Sequence, residues 1–435
     1  MKQEEALTLM KLGHNIFLTG AAGAGKTYVL NQYIAYLREH KVKVAVTAST
    51  GIAATRLNGI TIHSWAGIGV REVLTRLQID GMQKDKRLKK RMSRAMVLII
   101  DEISMLHSFQ LDLVDQVLRQ IRANEAPFGG LQVIFCGDFF QLPPVSKNGE
   151  EALFAFAAQS WAKAELKIAY LQEQHRQTDD GLLSVLNDIR RGNVGENTLT
   201  PLRACYRRNF GPEIVATRLY THNVDVDLIN QKHLDALPGE VAEYAMTSEG
   251  PELLTGALKK NCLAPETLKL KKNALVMCVR NNFEKKYVNG TLATVTDTGK
   301  NGPTIKSKGR HIDIVAEEWS FLEDSTKKAS ITQFPLRLAW AITIHKSQGM
   351  SLDAAEMDLS KCFVPGMGYV ALSRVRQLDG LNLLGLNPMA LRVDEKILHF
   401  DETLQAHSNQ EVSKLHALSP SMQTKQIARF LRQII

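Results

Sequence analysis

The chain has 435 residues, 44% of them apolar and 23% charged, which is ordinary globular usage and excludes a disordered or collagen-like chain. At roughly 100–200 residues per domain, that length predicts two to three domains. Lys and Arg outnumber Asp and Glu by 54 to 45, and the resulting net charge of +9 fits either a polyanionic partner or a simple solubility surplus.

In chain order, Met1 to Glu5 leads into a helix-like stretch with neither the apolar core of a secretory signal nor the Arg-rich character of a transit peptide. Together with the absence of any apolar run of ~18 residues, this gives an expectation of a cytoplasmic protein with no membrane partner. Strand-like segments follow at Asn15 to Thr19, Val42 to Thr47, Val97 to Ile100 and Leu131 to Cys136, with helical patterns from Lys26 and near Gly51. Strands alternating with helices predict an α/β core built on a parallel sheet. The segment from Lys84 to Arg94 is basic at seven of eleven positions, which suits a solvated helix face or a nucleic-acid contact. Farther on, Leu275 to Val279 and Thr291 to Val295 flank Asn289-Gly290, a type I′ hairpin signal, and predict a small antiparallel β-module. After Gln333 the α/β pattern returns, and from about Asp394 the chain reads as polar helices. The five cysteines, Cys136, Cys205, Cys262, Cys278 and Cys362, form no C-x-x-C pair, so neither a disulfide framework nor a zinc ribbon is suggested.

The chemistry is concentrated in two short segments. Gly20-Ala21-Ala22-Gly23-Ala24-Gly25-Lys26-Thr27 matches G-x-x-x-x-G-K-[ST] between a strand and a helix. In that setting backbone N–H groups cradle phosphates, Lys26 reaches the β/γ-phosphates and the Thr27 hydroxyl holds Mg²⁺. Val97 to Ile100 then ends in Asp101-Glu102, where one carboxylate can bind Mg²⁺ and the other can orient or deprotonate a water. No N-K-x-D guanine-reading element occurs, so ATP is the expected nucleotide.

Four further motifs carry a resemblance. Asp101-Glu102-Ile103-Ser104-Met105, Gly137-Asp138-Phe139-Phe140-Gln141-Leu142-Pro143-Pro144, Ile342 to Gly349 (ITIHKSQG) and Tyr369-Val370-Ala371-Leu372-Ser373-Arg374 are similar, in this order, to motifs of the Pif (petite integration frequency) family of superfamily 1B DNA helicases. The resemblance runs from Gln3 to about Leu384. It implies two RecA-like parallel-sheet P-loop domains with small inserted modules. Domain 1 would span 1–175, with a wedge insertion near 66–80. Domain 2 would span 176–272 and 333–393, interrupted by an SH3-like insertion at 273–332, with C-terminal helices over 394–435.

The resemblance also implies residue roles. Gln3 would read adenine, Gln141 would sense the γ-phosphate, and Arg176 and Arg374 would be γ-phosphate arginines acting with Lys26 and Glu102. Gly349 would approach the phosphates, and Tyr28 would complete the nucleotide site. Single-stranded DNA would run over Thr47, Ser49, Thr50, Gly51, Thr61, His63 and Ser64 in domain 1, and over Thr343, His345, Lys346 and Ser347 in domain 2. Small hydroxyl residues suit phosphate contact without base readout. The activity implied is Mg-ATP-driven 5′ to 3′ translocation and unwinding in genome maintenance. Its substrates would include duplex or fork junctions and G-quadruplexes. The chain resembles a prokaryotic or phage-type minimal member, monomeric and associated with the nucleoid. Two rivals stand beside this reading: an RNA helicase of the same superfamily, and a nucleotide-switched binding module without unwinding.

Overall fold

Unbroken apolar runs form the centre of domain 1. In the computed structural model, which describes residues 1–69, 71–144, 153–173, 179–210, 216–220, 226–282, 284–285, 287–299, 301–323 and 326–435, six strands make one parallel sheet. They are β1 (Ile16–Gly20), β2 (Val44–Ala48), β3 (Ile60–Thr61), β4 (Val97–Asp101), β5 (Gln132–Cys136) and β6 (Lys167–Leu171), in the order β3-β2-β4-β5-β1-β6. Strands β1, β4 and β5 are buried along their whole length, because helices cover both faces of the sheet. Side chains alternate between those faces. Leu18, Ile99 and Ile134 pack with Val29, Leu30 and Leu37 of α2 (Lys26–Glu39), beside α1 (Gln3–Lys11). Phe17, Leu98 and Phe135 face the other way, toward Val114, Val117 and Leu118 of the helix Ser108–Arg122. Each such side chain contributes roughly 1.5–3 kcal/mol of burial free energy.

Every strand of a parallel sheet points the same way, so the loops after β1, β2, β4 and β5 gather at one edge. Those loops hold the glycine-rich segment, the Thr47–Gly51 segment, the acidic pair and the Gly137–Pro144 run.

Domain 2 has a smaller parallel sheet, in which Thr217–Tyr220 lies between Ala341–Thr343 and Ala355–Leu359, and Leu381–Leu386 closes the far side. The β-module between Asp235 and Ala341 is wider than the expected 273–332. Its sheets also take in Ala242–Ala245, Thr247–Glu249 and Leu336–Leu338. Those first two strands are short and largely exposed, so they carry no apolar alternation that a sequence pattern could reveal. The Asn289-Gly290 hairpin also differs from expectation. Leu275–Cys278 does pair antiparallel with Leu292–Gly299, but a long connection joins them, and Asn289-Gly290 sits in a turn closed by Thr291 N–H donating to Val288 O.

The domain 1 insertion likewise runs beyond 66–80, as the helix pair α5 (Arg76–Lys84) and α6 (Lys86–Arg94), after α3 (Gly51–Arg56) and α4 (Ile62–Trp65). The last two helices, Glu395–Ala417 and Pro420–Ile434, return to domain 1. Ser408 Oγ accepts from Tyr170 N–H of β6 at 3.1 Å, Glu411 pairs with Lys167 at 3.3 Å, and Ile427, Leu431 and Ile434 pack on the α1/α2 core. No helix among the described residues is long and apolar enough to cross a membrane.

Candidate active site

A cleft of about 1410 Å³ opens at the sheet edge of domain 1 and is walled on its far side by domain 2 and the β-module. Gly25, at φ 85°, is left-handed and lets the chain turn from the loop into α2, as glycine does at little steric cost. Ala22, Gly23, Gly25, Lys26 and Thr27 line the cleft. Lys26 Nζ donates to Gly20 O at 2.7 Å and to Ala21 O at 3.1 Å, so the ammonium rests on the loop's own carbonyls, inside the curl that a phosphate would enter. Gln3 begins α1 and donates to Ala24 O at 3.2 Å, which fixes it against the back of the same loop. Tyr28 points away: it is 56% exposed, accepts from Gln32 and is not on the cleft wall.

Asp101 ends β4 with its carboxylate buried, accepting from Glu102 N–H at 2.9 Å, and burial pushes it above the usual carboxylate range. Burial and the neighbouring Asp101 push Glu102 up as well, against the opposing pull of Lys26, Arg56 and Arg374. Glu102 holds a left-handed backbone at φ 52°, a conformation that costs a non-glycine residue ~1–2 kcal/mol and that concentrates at functional sites. Thr27 and Asp101 offer a hydroxyl and a carboxylate in the same cleft, a hard-oxygen donor set of the kind Mg²⁺ takes.

Domain 2 delivers three groups. Gln348 donates to Glu102 Oε2 at 3.1 Å, while its own carbonyl accepts from Arg56 of α3. Gly349 lies beside the Arg56 guanidinium at φ 70°, where a Cβ would collide with it. Arg374 is buried with a single per cent exposure, donating to Val370 O, Ser347 O and Ser373 Oγ while lining the cleft. Arg176 lies outside the described residues.

Gln141 reaches the cleft from the loop after β5 and donates to Asp138 Oδ2 at 3.2 Å. Asp138 is fully buried and paired with Arg190 at 2.9 Å. That same guanidinium donates to Tyr369 Oη, Tyr170 Oη and Asp401. Tyr369 Oη in turn accepts from Ala22 N–H of the phosphate loop at 3.3 Å. One buried cation thus joins the Gln141 loop, the phosphate loop, domain 2 and the helix Glu395–Ala417. Replacing Arg190 by Met strands two buried carboxylates and is expected to cost about 3–5 kcal/mol. Urea unfolding checks this, with the triple variant that adds Asp138→Asn and Asp401→Asn recovering part of the loss; a loss below about 1 kcal/mol for the single variant would refute the assignment.

The expected DNA residues fall into two groups. Thr50, Thr61 and Thr343 each cap a short helix, accepting from Ala53, Ser64 and Lys346 N–H. Those helices carry Gly51, His63, Ser64, His345 and Lys346 at or near the surface, and partial burial holds His63 below the usual imidazole range. Thr47, Ser49 and Ser347, by contrast, are buried, and their hydroxyls donate to Ile99 O, Glu102 O and Ile344 O. They build the site from inside rather than offering a hydroxyl to a ligand. Arg56, Gln348, Arg190 and Asp401 escaped the sequence reading; only Gln348, inside a recognised motif, carried a signal.

The sequence model described as PIF1-like helicase matches residues 2–196, and that of the DNA helicase Pif1 2B domain matches 253–297. An ATP-dependent DNA helicase Pif1 of Psychrobacter sp. is 45% identical over 91% of this chain and 69% of its own length; vertebrate relatives are covered over 62% to 64% of theirs. Among solved structures, Bacteroides sp. Pif1 in complex with ADP-AlF4 is 32% identical and superposes with a TM-score of 0.80 over 94% of this chain and 97% of that one. Bacteroides Pif1 in complex with ADP-AlF3 and single-stranded DNA is 33% identical with the same coverage and gives 0.64. On its matched residues, its folded architecture and its relatives, this chain belongs to the PIF1-like helicase family.

Proposed function

We propose that this ATP-dependent DNA helicase turns each cycle of ATP hydrolysis into a 5′ to 3′ step along single-stranded DNA. One observation carries the coupling. Ser49, beside the DNA-side helix of domain 1, donates to Glu102 O at 2.6 Å, and Gln348, beside that of domain 2, donates to the Glu102 carboxylate. Both DNA-side segments are therefore hydrogen-bonded to the residue that would position the attacking water. Thr27 and Asp101 would hold Mg²⁺, which when bound would supply positive charge against the phosphates. Lys26 would leave the loop carbonyls for the β/γ-phosphates, and Gln141 and Arg374 would meet the γ-phosphate as the cleft closes. Closure and reopening would move Thr343–Ser347 relative to Thr50–Ser64, shifting one grip past the other.

The family resemblance supports the polarity, fork and G-quadruplex substrates, action as a monomer and a place with the nucleoid in a prokaryotic cytoplasm. Steady-state ATP hydrolysis without nucleic acid, with single-stranded DNA and with matched single-stranded RNA, at two salt concentrations, tests the core of the reading. Strong DNA stimulation that weakens as salt rises is expected, followed by unwinding of 5′-tailed but not 3′-tailed duplex. Stimulation by RNA alone would make the chain an RNA helicase, and low turnover indifferent to both would make it a nucleotide-switched binder.

A further inference from the structure

We infer that the outer face of α6 is a grip for the duplex ahead of the unwinding junction, holding double-stranded DNA through its phosphates. The inference rests on the helicase reading for the presence of a junction. The helix is nine residues long and firmly fixed. Asp85 caps its start, accepting from Arg87 and Leu88 N–H, and Leu88 and Met92 are buried beneath it. Arg122 closes its far end by donating to Met92 O and Ala95 O, both at 2.8 Å. Arg91 donates to Ser64 O at 3.1 Å and to Trp65 O at 2.5 Å, which fastens α6 directly to the element bearing His63 and Ser64.

The outer face shows a different economy of charge. Lys84, Lys86, Arg87, Lys89, Lys90 and Arg94 are exposed. Asp85, the only acidic residue from Lys84 to Arg94, is spent on the cap. Among the described residues no carboxylate pairs with Lys84, Lys86, Lys89 or Lys90, so cations at i, i+3 and i, i+4 repel one another on a helix that cannot relax. A polyanion laid along this face would remove the repulsion.

The form of that polyanion follows from composition and length. No Phe, Tyr or Trp occurs from Ala66 to Ala95, so this face offers charge along a backbone and no platform on which an unpaired base could stack. Lysines act as point charges that suit a phosphate rail. A nine-residue helix is ~13 Å long, about four steps of B-DNA at 3.4 Å per base along one strand. The same insertion exposes Val73 and Leu77, at 75% and 84%, a tip that can meet the end of a base-pair stack while the duplex behind it rests on α6.

The test uses the full chain carrying Lys86→Gln, Lys89→Gln and Lys90→Gln, with fluorescence anisotropy over a salt series on an oligo-dT strand and on the same strand extended into a duplex. Oligo-dT affinity and dT-stimulated ATP hydrolysis should stay within about twofold of the parent. On the tailed duplex, the slope of log affinity against log salt should shrink by about 2–3, from three lost phosphate contacts. The matching Lys→Arg triple variant should restore it. An unchanged slope on the tailed duplex would overturn the proposal and leave the face to water or to an acidic protein. Equal losses on both probes would overturn it in favour of the single-strand path. A parent that dT fails to stimulate would refute the helicase reading instead.

Discussion

Arg374→Ala should hydrolyse ATP about 10³–10⁵-fold more slowly than the parent chain, the range by which arginine fingers accelerate phosphoryl transfer. The guanidinium enters the cleft from domain 2, and its other hydrogen bonds hold it in place from behind. Nothing else delivered by domain 2 to the described cleft wall opposite the phosphate loop is both cationic and so deeply buried. Nucleotide binding depends mainly on the domain 1 loop, so affinity for a fluorescent ATP analogue should change far less than turnover. Arg374→Lys separates charge from shape: an ammonium keeps the charge but loses the planar fork that spans several acceptors, so turnover should remain depressed. Single-turnover hydrolysis in the presence of single-stranded DNA is the measurement, and a rate within about threefold of the parent would end the assignment.

Glu102→Gln should lower DNA-stimulated turnover by about 10²–10⁴-fold while leaving ATP and DNA binding intact. The amide preserves size and can still meet Gln348, but it cannot take a proton from water. Glu102 lies on the cleft wall directly after Asp101, where its carboxylate meets Gln348 from domain 2. Removing a negative charge beside the phosphates should, if anything, tighten nucleotide binding. Parental turnover would show that another group activates the water.

What could be read from residues alone followed the grain of local structure. The glycine-rich loop and Asp101-Glu102 could be singled out because each is contiguous and bounded by a strand, and the structure brings both to one cleft. That the hydroxyls of Thr47, Ser49 and Ser347 donate inside the fold could not be read, because a hydroxyl does not announce its partner: for Thr47 and Ser49 the acceptor is a carbonyl some fifty residues away. Arg56 and Arg190 were invisible for the same reason, since each serves acceptors drawn from distant parts of the chain. The β-module's outer limits were missed because Ala242–Ala245 and Thr247–Glu249 are held by their pairing rather than by an apolar pattern. The docking of the two last helices left a trace only in hindsight, in the spacing of Ile427, Leu431 and Ile434.

That docking sets an order for synthesis. Roughly 220 residues separate β6 from the helix Glu395–Ala417 that lies along it, a gap of about 10–45 s at ~5–20 residues per second. Throughout that interval the nascent nucleotide-binding half exposes the apolar surface that Leu415, Ile427 and Leu431 later cover. The whole of domain 2 leaves the ribosome before domain 1 is sealed, so the half that begins first is finished last, and its open flank is where a chaperone would find this chain.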